Sequence, residues 1–99
     1  MDSICIYSLE METPLGKRRG ELRLTLGPET LEGELTLFTR VLPITQGRRT
    51  GDRFTFQTQF GSDPYQAEGT LKENRLTMEL ITPAGRYPVR GVRKQLRRD

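Results

Sequence analysis

The sequence predicts an all-β chain, an antiparallel up-and-down meander of seven to eight strands forming a small barrel. Three observations carry that expectation. Apolar residues recur with a period of two, as in Leu22, Leu24 and Leu26, or Phe54, Phe56 and Phe60, which is the pattern of strands buried on one face and wet on the other. Turn-forming clusters rich in Gly, Pro, Asn and Asp separate these segments at short, regular intervals. Nowhere do apolar residues keep a helical spacing over a dozen positions.

In order, the predicted strands are 3–12, 20–26, 31–45, 53–60, 65–71, 76–82 and 86–94. The first carries Tyr7, Leu9 and Met11 on one parity and ends at Thr13-Pro14-Leu15-Gly16. The second holds Leu22, Leu24 and Leu26 against Glu21, Arg23 and Thr25, then meets Gly27-Pro28-Glu29. The third is long and changes parity, from Leu31, Leu35, Leu37 and Val41 to Leu42 and Ile44. One inserted residue produces such a switch, so a bulge is expected near Val41–Pro43. The alternative is two strands with a turn near Thr39, against which stands the absence of Gly, Pro, Asn and Asp there. After Gln46-Gly47 and Gly51-Asp52, the fourth strand alternates Phe54, Phe56, Thr58 and Phe60 with Arg53, Thr55, Gln57 and Gln59. Gly61-Ser62-Asp63-Pro64 leads to Tyr65, Ala67 and Leu71, Glu73-Asn74 to Leu76, Met78 and Leu80, and Pro83-Ala84-Gly85 to Tyr87 and Val89.

The strand count decides closure. In a meander an even number lets the first and last strands pair antiparallel, whereas seven would leave them parallel. Hence an eighth strand lies within 31–50, or the barrel closes unconventionally, or free edges pair between chains, which makes a homo-oligomer through strand edges an expectation. Thr13-Pro14-Leu15-Gly16-Lys17 also echoes Thr82-Pro83-Ala84-Gly85-Arg86, as though one hairpin chemistry were used twice.

The chain has 99 residues, no His, no Trp and one Cys, so one domain fits and two do not. The expected division is a barrel over residues 1–92 and a basic C-terminal tail over 93–99. Without His, the usual general base and the usual zinc ligand are missing. A single Cys makes no internal disulfide, in keeping with a reducing compartment. The segment Met1–Met11 is too short and too acidic for a secretory signal, and no apolar run reaches the ~20 residues of a spanning helix. A cytoplasmic protein without membrane attachment is expected, non-catalytic, with no metal and no cofactor.

Charge is unevenly placed. Residues 86–98 hold Arg86, Arg90, Arg93, Lys94, Arg97 and Arg98 and no acid, while the chain before them has ten basic against twelve acidic residues. Two further basic clusters, around Arg18 and Arg19 and around Arg48, Arg49 and Arg53, are candidate anion-binding residues. They share one end of the barrel if the third strand is continuous and lie at opposite ends if it splits. Stacking on nucleic-acid bases would need exposed aromatics. Phe54, Phe56 and Phe60 share the inward face and only Phe38 is expected outside, so nucleic acid is not the expected partner. A nucleic-acid or phosphate-binding module stands as the alternative to a binding barrel. The apolar parity places no charged side chain inside. A filled interior, or at most a small apolar pocket near one rim, is expected; Tyr7, Phe54, Tyr65 and Tyr87 are candidate lining residues, the tyrosines because buried phenols seek partners.

Gly51-Asp52-Arg53-Phe54-Thr55-Phe56, Ala67-Glu68-Gly69-Thr70-Leu71 and Tyr87-Pro88-Val89-Arg90-Gly91, set in this strand rhythm, resemble small calycin-type meander barrels, the class of lipocalins and avidins. The resemblance implies that architecture and the binding of a small apolar ligand or a protein partner. It carries no site residue across, since the Trp residues of those families are absent from this chain.

Overall fold

The computed structural model describes residues 3–37 and 39–94. They form β1 (Ser3–Thr13), β2 (Gly16–Leu26), β3 (Leu31–Leu37), β4 (Arg40–Pro43), β5 (Thr45–Thr50), β6 (Arg53–Phe60), β7 (Asp63–Lys72), β8 (Arg75–Thr82) and β9 (Gly85–Arg93). All neighbours pair antiparallel in one sheet of order β4-β3-β2-β1-β9-β8-β7-β6-β5. The all-β meander is therefore as the residue pattern predicts, with one strand more than the higher count.

Several strands run further into their turns than the apolar pattern marks. β2 begins at Gly16 rather than residue 20, and β7 at Asp63 rather than 65, because two-residue hairpins bring Thr13 opposite Gly16, Phe60 opposite Asp63 and Lys72 opposite Arg75. The echoed segments prove to be the same device. In the first, the Thr13 hydroxyl accepts from the Leu15 amide at 3.2 Å and donates to the Gly16 carbonyl at 2.8 Å. In the second, Thr82 accepts from Ala84 at 3.1 Å and donates to Gly85 at 3.0 Å. Gly16 and Gly85 sit at φ 110° and 140°, which L-residues rarely adopt.

The continuous third strand with a bulge near Val41–Pro43 is corrected. The chain reverses after Leu37, which pairs with Arg40, and Thr39 takes φ 67°. A β-branched residue is a poor occupant of that region, which is why the composition gave no turn signal. Residues directly opposite across a two-residue hairpin have unlike parity, so the hairpin itself produces the switch from Leu35 to its partner Leu42. The bulge lies further on, between Thr45 and Arg48 in β5, with Gln46 at φ 51°.

β4 and β5 are separated by Ile44 alone and act as one stave of the barrel, its first part laid on β3 and its second on β6. A seam nearly closes the sheet: the Ile44 amide donates to the Gly33 carbonyl at 3.0 Å, the Arg49 amide to Glu29 at 2.9 Å, and Thr30 bridges Arg48. Between β4 and β6 the Thr58 hydroxyl donates to the Pro43 carbonyl at 2.8 Å. Counted in staves the barrel is even, and β1 meets β9 antiparallel, Leu9 opposite Gly91.

Inward side chains from every strand but β5 join one apolar cluster, with Leu22, Leu24, Leu35, Phe54, Phe56 and Leu80 at its centre. Phe54 and Phe56 stack at 6.0 Å between ring centroids. An interior of this strand number is just wide enough for side chains to fill. No described helix is long and apolar enough to cross a membrane. Of the expected tail, Arg93 belongs to β9 and the Lys94 amide donates to Ile6 at 2.8 Å. Residues 95–99, like Phe38, lie outside the described residues.

Candidate ligand-binding site

Antiparallel hairpins alternate ends, so the turns at 14–15, 61–62 and 83–84 share one end of the barrel with the reversal after Leu37. A cleft of about 320 Å³ opens there, lined by Met11, Thr13, Pro14, Leu15, Arg18, Leu37, Tyr65, Leu80, Thr82, Ala84 and Tyr87. Its floor is the last buried tier of the core, Met11, Leu37 and Leu80. Its flanks are the two Thr-Pro-x-Gly hairpins, which stand side by side because β1 pairs with β9. Leu15 rides on one of them, 83% exposed.

Polar groups enter by register. Arg18 lies directly opposite Met11, so it shares the inward face and is only partly exposed. This overturns the expectation of a charge-free inward face. Its Nη1 donates to the Lys17 carbonyl at 3.3 Å, and no described carboxylate forms an ion pair with it. The parity that predicts Leu22 and Leu24 as inward reaches Arg18 when continued through Gly20, and starting the strand at residue 20 conceals it. Tyr87 lies opposite Leu80. Tyr65 lies opposite Thr58 and stacks on Phe60 at 5.8 Å and 7°, while the Arg40 guanidinium caps Phe60 at 5.0 Å from the ring centroid. Burial, then the Asp63 carboxylate and then Tyr87, push the Tyr65 phenol above its ordinary value, so its hydroxyl is a hydrogen-bond donor at neutral pH.

The candidate pocket residues thus divide. Tyr65 and Tyr87 line the cleft, whereas Tyr7 and Phe54, each 2% exposed, belong to the core and do not reach it. Burial, followed by Cys5, raises the Tyr7 phenol, with Arg93 and Arg49 pulling the other way.

The candidate anion-binding residues divide as well. Because the third strand splits, Arg18 and Arg19 lie towards the cleft end and Arg48, Arg49 and Arg53 towards the opposite end. Arg19 is exposed and faces Glu10, while Arg49 donates from Nε to the Gly51 carbonyl at 3.1 Å. Three of the described C-terminal basic residues lie beside acids, while Arg93 lies opposite Tyr7. Arg86 meets Glu79 at 3.5 Å, Lys94 meets Glu21 at 2.6 Å, and Arg90 lies opposite Glu10.

A wider groove of about 650 Å³ crosses the outer wall by Gln57, Gln59 and Gln66, and no charged side chain lines it. No group of His, Cys, Asp and Glu among the described residues could hold a metal ion. Comparison with family models, with curated proteins and with solved structures finds no match.

Proposed function

We propose that this chain is a non-catalytic binding barrel of calycin type, acting in the cytoplasm, which takes a small and largely apolar ligand at the mouth framed by Tyr65 and Tyr87. One observation carries the reading: the cleft has a floor of core side chains, Met11, Leu37 and Leu80, with a few polar groups set above it. That is the make-up of small-molecule sites, in which apolar surface supplies affinity and placed polar groups supply orientation. The volume of about 320 Å³ holds on the order of ten non-hydrogen atoms, at ~30 Å³ for each water-sized unit. The pairing of Arg86, Arg90 and Lys94 with acids favours this reading over a phosphate-tracking surface, which needs unneutralised cations. Nor does the reading need a homo-oligomer. The β3–β5 seam occupies much of both sheet edges, leaving chiefly β4, where Val41 is 57% exposed, for pairing between copies.

Titrating the full-length protein with 1-octanol, followed by amide NMR, tests this. Saturable shifts are expected at Leu15, Ala84 and Tyr87 while Leu24 and Leu76 stay still. Absence of saturable binding, or shifts confined to the outer wall at Gln57 and Gln66, refutes it.

A further inference from the structure

We infer that the mouth selects amphiphiles bearing a single anionic head, with Arg18 holding the head and Met11, Leu37 and Leu80 receiving the apolar body. The inference rests on the binding-barrel reading and adds the chemical class of its ligand.

Three observations support it. Arg18 is drawn onto the inward face by its place opposite Met11, so its guanidinium borders the apolar floor instead of standing in open solvent. Its one hydrogen bond is a local one to the Lys17 carbonyl at 3.3 Å, which leaves most of its five donors for a ligand. The acids that neutralise the outer wall are not available to it. Glu10 lies between Arg19 and Arg90, Glu12 lies opposite Lys17, and Glu79 pairs with Arg86. Arg40, a further cation of this end, is engaged on the Phe60 ring. Asp63 is the carboxylate of this rim, placed beside Tyr65 across the mouth on β7.

Physical chemistry then separates the ligand classes. A neutral ligand that fills the cleft strips water from a guanidinium and returns at most a neutral hydrogen bond, and poorly compensated desolvation of charge is costly. A cationic head adds repulsion. A carboxylate or phosphate monoester replaces the lost water with charge-assisted, bidentate hydrogen bonds matched to the planar fork. The Tyr65 phenol, which lines the same cleft and is protonated at neutral pH as phenols ordinarily are, is a further donor.

The experiment compares one eight-carbon chain carrying four heads, namely octanoate, octyl phosphate, 1-octanol and octylammonium, by calorimetry and amide NMR at low salt. In the wild type the better anion is expected to bind about tenfold tighter than 1-octanol, a tenfold ratio being ~1.4 kcal/mol, and octylammonium more weakly than the alcohol. Preference for octanoate over octyl phosphate assigns a carboxylate head, and the reverse assigns a phosphate ester. Arg18→Met, which keeps an unbranched apolar stem over the floor, is expected to bring the anion down to the affinity of the alcohol or below it, and to leave the alcohol binding at least as tightly as in the wild type. Arg75→Gln, exposed at the start of β8 and the other end of the barrel, is expected to change neither. If octanol binds but no anion binds more tightly, or if Arg18→Met weakens anion and alcohol alike, the selection is overturned while the binding barrel stands. If none of the four binds, the binding barrel falls and this inference with it. The wild-type head-group series decides the matter even if the variant fails to fold.

Discussion

Replacing Gly47 with alanine asks whether the β3–β5 seam holds the barrel shut. A β-carbon built on Gly47 lies 2.0 Å from the Leu31 carbonyl oxygen and 3.0 Å from the Leu31 carbonyl carbon, where ordinary contact starts at 3.4 Å. These atoms are backbone, so the strands must part by more than an ångström. The two seam hydrogen bonds, Ile44 to Gly33 at 3.0 Å and Arg49 to Glu29 at 2.9 Å, then exceed the range in which such bonds count. At about 1 kcal/mol net for each bond, with water free to replace the lost partners, and with the Thr30–Arg48 bridge lost as well, the destabilisation comes to about 2–3 kcal/mol. Gly47 is not among the residues at positive φ, so alanine brings no backbone strain and the cost is steric. Gly51→Ala is the matching control, with φ 58° and nothing within 4 Å of the added carbon, and it carries only the left-handed penalty of ~1–2 kcal/mol. Urea unfolding measures the totals, and native-state hydrogen exchange locates them. Gly47→Ala should strip protection from the Ile44 and Arg49 amides and spare those of β1 and β2, whereas Gly51→Ala should leave the Ile44 amide protected. A Gly47→Ala protein as stable as the wild type, with Ile44 and Arg49 still protected, would falsify the seam as the element that closes the barrel.

Three further outcomes are expected. Thr58 is 3% exposed and donates to Pro43 at 2.8 Å, so Thr58→Val should cost about 1 kcal/mol and lower the melting temperature by about 4–8 °C; an unchanged melting temperature refutes a structural role for that bond. The Tyr7 phenol has its pKa raised by burial, so above the ordinary value of 10.0 the unfolded chain loses this proton first. Tyr7 therefore contributes stability that is whole below pH 10 and is lost as pH rises through the folded value. Denaturant midpoints across that range should fall less steeply in Tyr7→Phe, and parallel falls would show that other groups cause the decline. Cys5 is 5% exposed, so a thiol reagent should label it only at the rate at which β1 opens; prompt labelling of the native protein contradicts the placement of Cys5 in the core.

Much of the fold is legible in the residues because strand burial has a period of two and leaves its mark wherever one face is apolar. Phe54, Phe56 and Phe60, or Leu76, Met78 and Leu80, announce their inward face without help. The hairpin after Leu37 was legible only as the alternative of a turn near Thr39, since Thr39 occupies a left-handed position that composition assigns to Gly or Asn. Gln46-Gly47, read from its composition as a turn, is a bulge, because the same backbone freedom serves both and only the neighbouring strand decides between them. In the site, Tyr65 and Tyr87 were visible as phenols on an apolar parity. Arg18 was visible as a candidate anion-binding residue but not as an inward one, because a charged residue ends an apolar pattern even where the strand continues.

The residues alone determined an all-β meander, which face of most strands is buried, and the twin Thr-Pro-x-Gly hairpins, since each follows from interactions within a few positions along the chain. Tertiary structure decided what depends on residues far apart. It made β4 and β5 a single stave, put the two basic loops at opposite ends, and set Arg86, Arg90 and Lys94 beside acids of β8, β1 and β2. It also chose the end of the barrel at which core side chains stay open to solvent. There Arg18 stands over Met11, because pairing register places a side chain by its partner across the sheet, whatever its own polarity.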